Sequence, residues 1–290
     1  MAESTASRTA RFGAHMPTQG GLHTAFQAGR DVGCEVLQLF TSSPQQWKAR
    51  AITDEIAAAF QEAQAACGIR CVAAHDNYLI NPAAADPEIL QKSRASLIGE
   101  ARRCDLLGIP ALVMHLGCAV GAPEEEALAR LIESVKIVLA ETPPEGPQPL
   151  LETTAGQGTA LGYTFEQIAD VLEGVGQPDR MGVCFDTCHV FAAGYDLRTP
   201  EAYDATMQRF DELVGLEWIR LIHANDSKRE LGSRVDRHHH IGQGHLGEEA
   251  FRHLLTDARL SGVPVVLETP KAGEMDPVNL AALRRLAGSQ

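Results

Sequence analysis

Short apolar runs alternate along the chain with longer segments whose apolar positions recur at helical spacing. The runs begin near Arg11 (RFGAH), Val36 (VLQLF), Cys71 (CVAAH), Ala111 (ALVMH), Pro149 (PLLET), Met181 (MGVCFD), Trp218 (WIRLIH) and Pro264 (PVVLET). Between them, Ile89, Leu90, Leu97, Ile98, Leu106 and Leu107 follow one helical stripe, and Leu128, Leu131, Ile132, Val135, Val138 and Leu139 another. Strands that are apolar throughout, rather than alternating, are buried on both faces. Eight of them with eight intervening helices predict a parallel (β/α)8 TIM barrel, an α/β fold in a single domain. Glycine and proline punctuate the pattern at Gly68, at Gly108 with Pro110, at Gly176 with Pro178 and at Gly262 with Pro264. Residues 1–10, small and polar, are expected to form a disordered tail, leaving 11–290 for the barrel. Pro143 to Pro149 reads as a loop on the N-terminal side of the barrel. Asn225 to Leu246 is long and polar, and loops of that length in compact domains are usually functional.

Composition changes this picture little. A hydrophobic fraction of 44% and a charged fraction of 22% are those of a soluble globular chain. No apolar stretch approaches the roughly 20 residues needed to span a bilayer, and the N-terminus lacks a signal-peptide core. Seven cysteines, with no CxxC pair, suit packing roles in a reducing cytosol better than a disulfide framework, so a cytoplasmic location is expected. The net charge of −13 opposes non-specific binding to a polyanion.

The candidate chemistry sits where the apolar runs end. His75, His115, Glu152, Asp186, His223 and Glu268 close six successive runs, and His189, Asp236 and His238 lie in the loops that follow. In a β/α barrel such positions share the C-terminal face, where active sites lie. The nine residues are all imidazole or carboxylate, with no thiolate, which suits zinc or manganese held for hydrolysis. Asp186 and His189, three apart, can be turned into one cavity. Asp236 and His238, two apart in an extended segment, share a face. Three divalent ions against the four carboxylates would leave the pocket locally at about +2 inside an acidic shell.

Several motifs carry a resemblance that covers residues 11 to 287. They are GAH with GGL (Gly13 to Leu22), HDNYLINPA (His75 to Ala83), LETTAGQG (Leu151 to Gly158), FDTCH (Phe185 to His189), HANDSK (His223 to Lys228), GSRVDRHHHIGQG (Gly232 to Gly244) and LETP (Leu267 to Pro270). With them the chain resembles the endonuclease IV family of metal-dependent apurinic/apyrimidinic endonucleases. The resemblance implies a barrel with three zinc ions per chain that cleaves duplex DNA 5′ of an abasic site and clears blocked 3′ ends. It implies one ion on His75, His115 and Glu152, a second on Glu152, Asp186, His223 and Glu268, and a third on His189, Asp236 and His238. Glu268 is the candidate to orient the attacking water or accept its proton, ahead of Asp186, with Glu152 bridging two ions. Tyr78 and Leu79 fall where the family inserts side chains at the damaged site, and Trp47 is a further candidate contact. Gln45 stands where the best-known members carry an intercalating arginine. Lys228, Arg229, Arg234 and Arg237 are the candidate phosphate contacts.

Several of these residues also have a blander role. A lone histidine at a strand end is more often a hydrogen-bonded core residue than a ligand, and Tyr78 with Leu79 could be loop packing. His15 faces the mouth and is a candidate to touch phosphate or orient a ligand, while His239 and His240 are expected outside the ligand set. Two rival functions follow: a metal-dependent sugar isomerase or epimerase on a related barrel, and a lesion-sensing module that binds without cutting. A monomer is expected.

Overall fold

Burial on both faces of each strand is what closes the sheet into a ring. The computed structural model describes residues 10–288; the expected tail of residues 1–10 falls almost wholly outside them. Eight parallel strands form the barrel: β1 (Phe12–His15), β2 (Val36–Phe40), β3 (Arg70–His75), β4 (Ala111–Met114), β5 (Gln148–Glu152), β6 (Gly182–Asp186), β7 (Ile219–His223) and, after a hairpin of β8 (Asp226–Ser227) and β9 (His238–His239), the closing strand β10 (Val265–Leu267). Their order round the ring is β1-β10-β7-β6-β5-β4-β3-β2.

The helices are α1 (Thr24–Val32), α2 (Asp54–Cys67), α3 (Pro87–Leu107), α4 (Glu124–Ala140), α5 (Phe165–Val175), α6 (Thr187–Ala193), α7 (Pro200–Leu213), α8 (Gly247–Thr256) and α9 (Asp276–Leu286). Thr53, Asp86, Thr164 and Thr199 start four of them by accepting a main-chain N–H. Eight helices were expected and nine are present among the described residues. The sixth crossover is divided because α6 stops at Gly194, whose φ of 116° reverses the chain before α7 begins. The stripe expected on α3 is also corrected. Ile89 and Leu106 are exposed, while Ser93 and Glu100 are buried. The Glu100 carboxylate accepts from the Thr41 and Ser42 hydroxyls and pairs with Arg103, drawing the loop after β2 onto the helix.

Alternation along the strands then organises the interior. Outward residues such as Leu37, Leu39 and Leu151 pack against the helices. Inward residues Val36, Ala73, Val113, Leu150, Cys184, Leu221 and Val266 meet inside the ring as an apolar floor. Gly13 is the member from β1, and it must be glycine: a Cβ there would lie 1.8 Å from the carbonyl oxygen of Val36. Two residues further along each strand the period of two returns to the same face. That layer is His15, Gln38, His75, His115, Glu152, Asp186, His223 and Glu268. A hydrophobic plug thus carries a ring of eight polar side chains above it. No helix of the described residues is long and apolar enough to cross a membrane.

The close approach at Gly13 generates a stability test. Gly13→Ala should destabilise the fold by at least the upper end of the about 1–3 kcal/mol typical of overpacking, since the obstacle is backbone. Urea unfolding followed by circular dichroism reads this, and an unchanged midpoint would show that the seam between β1 and β2 is looser than described.

Candidate metal centre

Glu152 ends β5 with no solvent exposure and lies between histidines from several strands. Its Oε2 is 3.1 Å from His75 Nε2 and 2.9 Å from His115 Nε2. Its Oε1 is 2.8 Å from His223 Nδ1. That nitrogen is also 3.4 Å from Glu268 Oε2 and 3.8 Å from Asp186 Oδ2. Above them, Asp236 Oδ1 lies 3.3 Å from Nε2 of both His189, which stands in α6 rather than in the loop expected, and His238 in β9. The nine sequence candidates therefore converge into three groups: His75, His115 and Glu152; Glu152, Asp186, His223 and Glu268; and His189, Asp236 and His238. Within each group the donor atoms lie inside 4.8 Å of one another, close enough to hold one cation.

Two other groupings bring in a thiol, Cys184 with Glu152 and His223, and Cys188 with Asp186 and His238. Neither fits as well. Cys184 belongs to the floor beneath the carboxylates, and burial, aided by Glu152 and Asp186, holds its thiol well above the ordinary range. Burial also raises the Cys188 thiol, whose Sγ is 3.7 Å from the Arg237 carbonyl.

The surroundings fix how these side chains point. His75, His189 and His238 each place Nδ1 2.8–3.0 Å from a main-chain carbonyl oxygen, of Asp76, Thr153 and Glu268 respectively. A carbonyl can only accept, so Nδ1 keeps its proton and Nε2 is the nitrogen turned toward the carboxylates, available to a cation once any proton on it is displaced, the arrangement a metal-binding histidine needs. Asp186 caps α6 by accepting the His189 N–H at 2.9 Å, which brings two candidate ligands three residues apart into one cavity. Thr153 Oγ1 accepts the Asp186 N–H at 2.9 Å. Asn225 donates to Asp186 Oδ2 at 2.7 Å and accepts the Glu268 N–H at 2.8 Å. The loop carrying Asp236 and His238 is anchored by buried Asp226, whose carboxylate accepts the N–H groups of Gly244 and Leu246.

Thr153, Asn225, Asp226 and Gln38 were not singled out from the sequence. Gln38 had a detectable signal, the same two-residue step from the floor as the ligands, but the other three act through hydrogen bonds that leave no periodic trace. His15 sits with Nδ1 3.3 Å from Glu268 Oε1. His239 and His240 lie outside all three groups, as expected.

The remaining candidates occupy two sides of the mouth, because β3 and β7 stand four strands apart in the ring. Tyr78 is 59% exposed, Leu79 36% and Trp47 39%, and Gln45 is exposed beside them. Tyr78 packs edge-on to Phe40, with ring centroids 5.3 Å apart. Buried Asn77 binds the carbonyls of Ser43 and Gln46 at 3.0 and 2.6 Å, and the Tyr78 N–H reaches that of Pro44 at 3.1 Å. Across the mouth, Lys228, Arg229 and Arg237 line a cleft of about 530 Å³ with His239 and His245. Arg234 stands apart, its guanidinium 4.0 Å from the centre of the Tyr163 ring.

Electrostatics give a pH test for the protein stripped of cations. Burial alone would lower the pKa of His75 and His189, but neighbouring carboxylates (Asp76 and Glu152; Asp186 and Asp236) outweigh it and hold both well above 6.5. Burial alone would raise Glu152, yet His115 and His223 hold it well below 4.5, and His189 with His238 similarly brings Asp236 to about 2. The raised histidines contribute stability that is complete below pH 6.5 and is lost as pH rises through their folded values. The lowered carboxylates contribute stability present above 4.5 for Glu152 and 3.8 for Asp236, lost as pH falls through their folded values. Chelator-treated protein should therefore melt highest between about pH 4.5 and 6.5. Loading with zinc should release protons and remove the alkaline decline. Thermal melts across pH with and without zinc check this; parallel curves would contradict it.

A family model described as a xylose isomerase-like TIM barrel matches residues 26–287. The probable endonuclease 4 of Chloroflexus aggregans is 50% identical over 278 residues, covering 95% of this chain and 97% of its own. The probable endonuclease 4 of Geotalea daltonii is 48% identical over 274 residues, covering 94% and 96%. Among solved structures, endonuclease IV from Thermus thermophilus matches with a TM-score of 0.84 at 33% identity, covering 96% of this chain and 99% of that one. A D-tagatose 3-epimerase-like protein reaches 0.74 at 15% identity, covering 96% and 97%, a likeness of fold alone. Two relatives near half identity over almost their full length, together with the family model, decide the matter: this chain belongs to the endonuclease IV family.

Proposed function

We propose that this protein is a DNA-repair endonuclease that hydrolyses the phosphodiester 5′ of an abasic site in duplex DNA, leaving a 3′-hydroxyl and a 5′-deoxyribose phosphate. In the same reading it removes blocking groups from 3′ ends. The observation that carries the proposal is the convergence of nine imidazoles and carboxylates into three groups, two of them sharing Glu152, beneath a protruding Tyr78–Leu79 pair.

Zinc, or manganese with the same ligands, would be held by those three groups and would supply Lewis acidity to the phosphate and lower the pKa of an attacking water. The chain's own residues divide the remaining work. Glu152 and Asp186 have no exposure, and both Asp186 oxygens are engaged, by the His189 N–H and by Asn225. Among the carboxylates of the two groups that share Glu152, Glu268 alone keeps part of its side chain, 17%, open to the mouth, so it is the one able to orient the water and take its proton. In this reading the exposed Tyr78 and Leu79 wedge into the duplex beside the lesion, where a missing base lowers the cost of unstacking. Lys228, Arg229 and Arg237 give the opposite wall positive charge for phosphates, which localises attraction on a chain of net charge −13.

A nicking assay on a duplex with one tetrahydrofuran abasic analogue tests this. Incision 5′ of the analogue that is abolished by chelator and restored by zinc is expected. Binding without incision, or turnover of ketoses in place of DNA, would overturn it in favour of a lesion sensor or a sugar epimerase. Glu268→Gln should lower kcat by about 10²–10⁴-fold, the range of a lost general base. Gln45→Arg should tighten binding to the abasic duplex about fivefold, equivalent to about 1 kcal/mol, with metal content unchanged. Fluorescence anisotropy and elemental analysis read the two quantities, and unaltered affinity would mean that Gln45 lies off the DNA path.

A further inference from the structure

Of the eight polar side chains above the floor, seven are imidazole or carboxylate and the eighth is Gln38 of β2. We propose that Gln38 is a positioning residue of the metal centre. Its carboxamide fixes His223 in the tautomer that offers Nδ1 to a cation and holds the Glu268 carboxylate beside that nitrogen. The inference rests on the metal-dependent reading above and deepens it.

The orientation of the amide follows from what its neighbours can do. Gln38 is fully buried, and one end of its amide lies 2.6 Å from Glu268 Oε1. A carboxylate only accepts, so the amide NH₂ must face it. The carbonyl end then faces His223 Nε2 at 2.9 Å. A carbonyl also only accepts, so Nε2 carries a proton, and Nδ1, which donates to Glu152 in the cation-free protein, is the nitrogen whose lone pair a cation would take. That nitrogen points at Glu152 Oε1, Glu268 Oε2 and Asp186 Oδ2, at 2.8, 3.4 and 3.8 Å. The same amide nitrogen lies 3.1 Å from His15 Nδ1. One planar group thereby ties together the ends of β1, β7 and β10.

The other histidines point to the same conclusion. His75, His189 and His238 are each set by a main-chain carbonyl on Nδ1 and turn Nε2 toward the carboxylates. His223 is reversed, with Nδ1 toward the carboxylates, and the acceptor on its outer nitrogen is the Gln38 side chain. A filling role would need only the volume of Gln38, which methionine matches closely. A positioning role needs its acceptor and its donors at once.

The test uses the full chain labelled with ¹⁵N-histidine and loaded with ¹¹³Cd²⁺. In the unsubstituted protein, cadmium should couple to His223 Nδ1 while Nε2 keeps a slowly exchanging proton. Gln38→Met should release cadmium from the site containing His223 about 10–100-fold more readily in chelator competition, the usual effect of losing a ligand's hydrogen-bond partner. The same variant should speed exchange of the Nε2 proton and leave the other cadmium signals in place. Gln38→Glu keeps an acceptor for Nε2–H but sets a like charge against Glu268. It should retain the His223 signature and still lose affinity. Native affinity with an unchanged His223 signal in Gln38→Met overturns the proposal while leaving the metal reading intact. So does coupling to His223 Nε2 in the unsubstituted protein, a measurement that needs no variant to fold. Failure of the unsubstituted protein to take up any cadmium overturns the metal reading and this proposal together.

Discussion

A carboxylate buried without water must find positive charge or protons close by, or it will not ionise. Glu152 meets that condition with four imidazoles within 3.6 Å of its two oxygens, from His75, His115, His189 and His223. Much of the mouth follows from this one side chain. It joins two of the three ligand groups, so its position sets the spacing between them. The apolar floor beneath it keeps the surroundings dry, which strengthens each charge contact and makes each unpaired one more costly. The family's divalent cations and, without them, protons on the histidines are alternative solutions to the same problem. Metal content, protonation and fold stability are coupled here for that reason.

The barrel was legible because burial on both faces gives strands that are apolar throughout, and the clustering of the candidate ligands because each run ends on a group that could not stay buried alone. What was missed lacks such a contrast. A glutamine inside VLQLF looks like an interruption of an apolar strand until the floor is known, and only then does it fall two residues above Val36 in the same layer as the ligands. Asn225 and Thr153 orient Asp186 and Glu268 through single hydrogen bonds. Such contacts join residues distant in sequence and follow no spacing. The stripe read on α3 failed in part because that helix faces a polar loop at Glu100 rather than a uniform core, leaving Ile89 and Leu106 to solvent. The split of the sixth crossover turned on Gly194, one glycine among 26 in the chain.

The two walls of the mouth differ in character. The loops after β2 and β3 present aromatic and aliphatic groups, while the loop after β7 presents cations. Asp226 anchors that basic loop from below through main-chain N–H groups, so its shape does not depend solely on what Asp236 and His238 hold. Arg234 is drawn off toward Tyr163, which leaves Lys228, Arg229 and Arg237 as the cations that share a cleft.

Asn77 binds two carbonyls of the neighbouring loop with one amide, and the Tyr78 N–H adds a third tie. Two fingers from different crossovers are thereby made into a single stiff prong. Much of the entropy of ordering it is incurred when the chain folds rather than when a partner arrives, so less is subtracted from affinity at the encounter. The same rigidity carries a cost in tolerance. On the proposed DNA-repair reading, a lesion of the wrong width would not be met by bending one finger alone, and these hydrogen bonds would add selectivity for geometry.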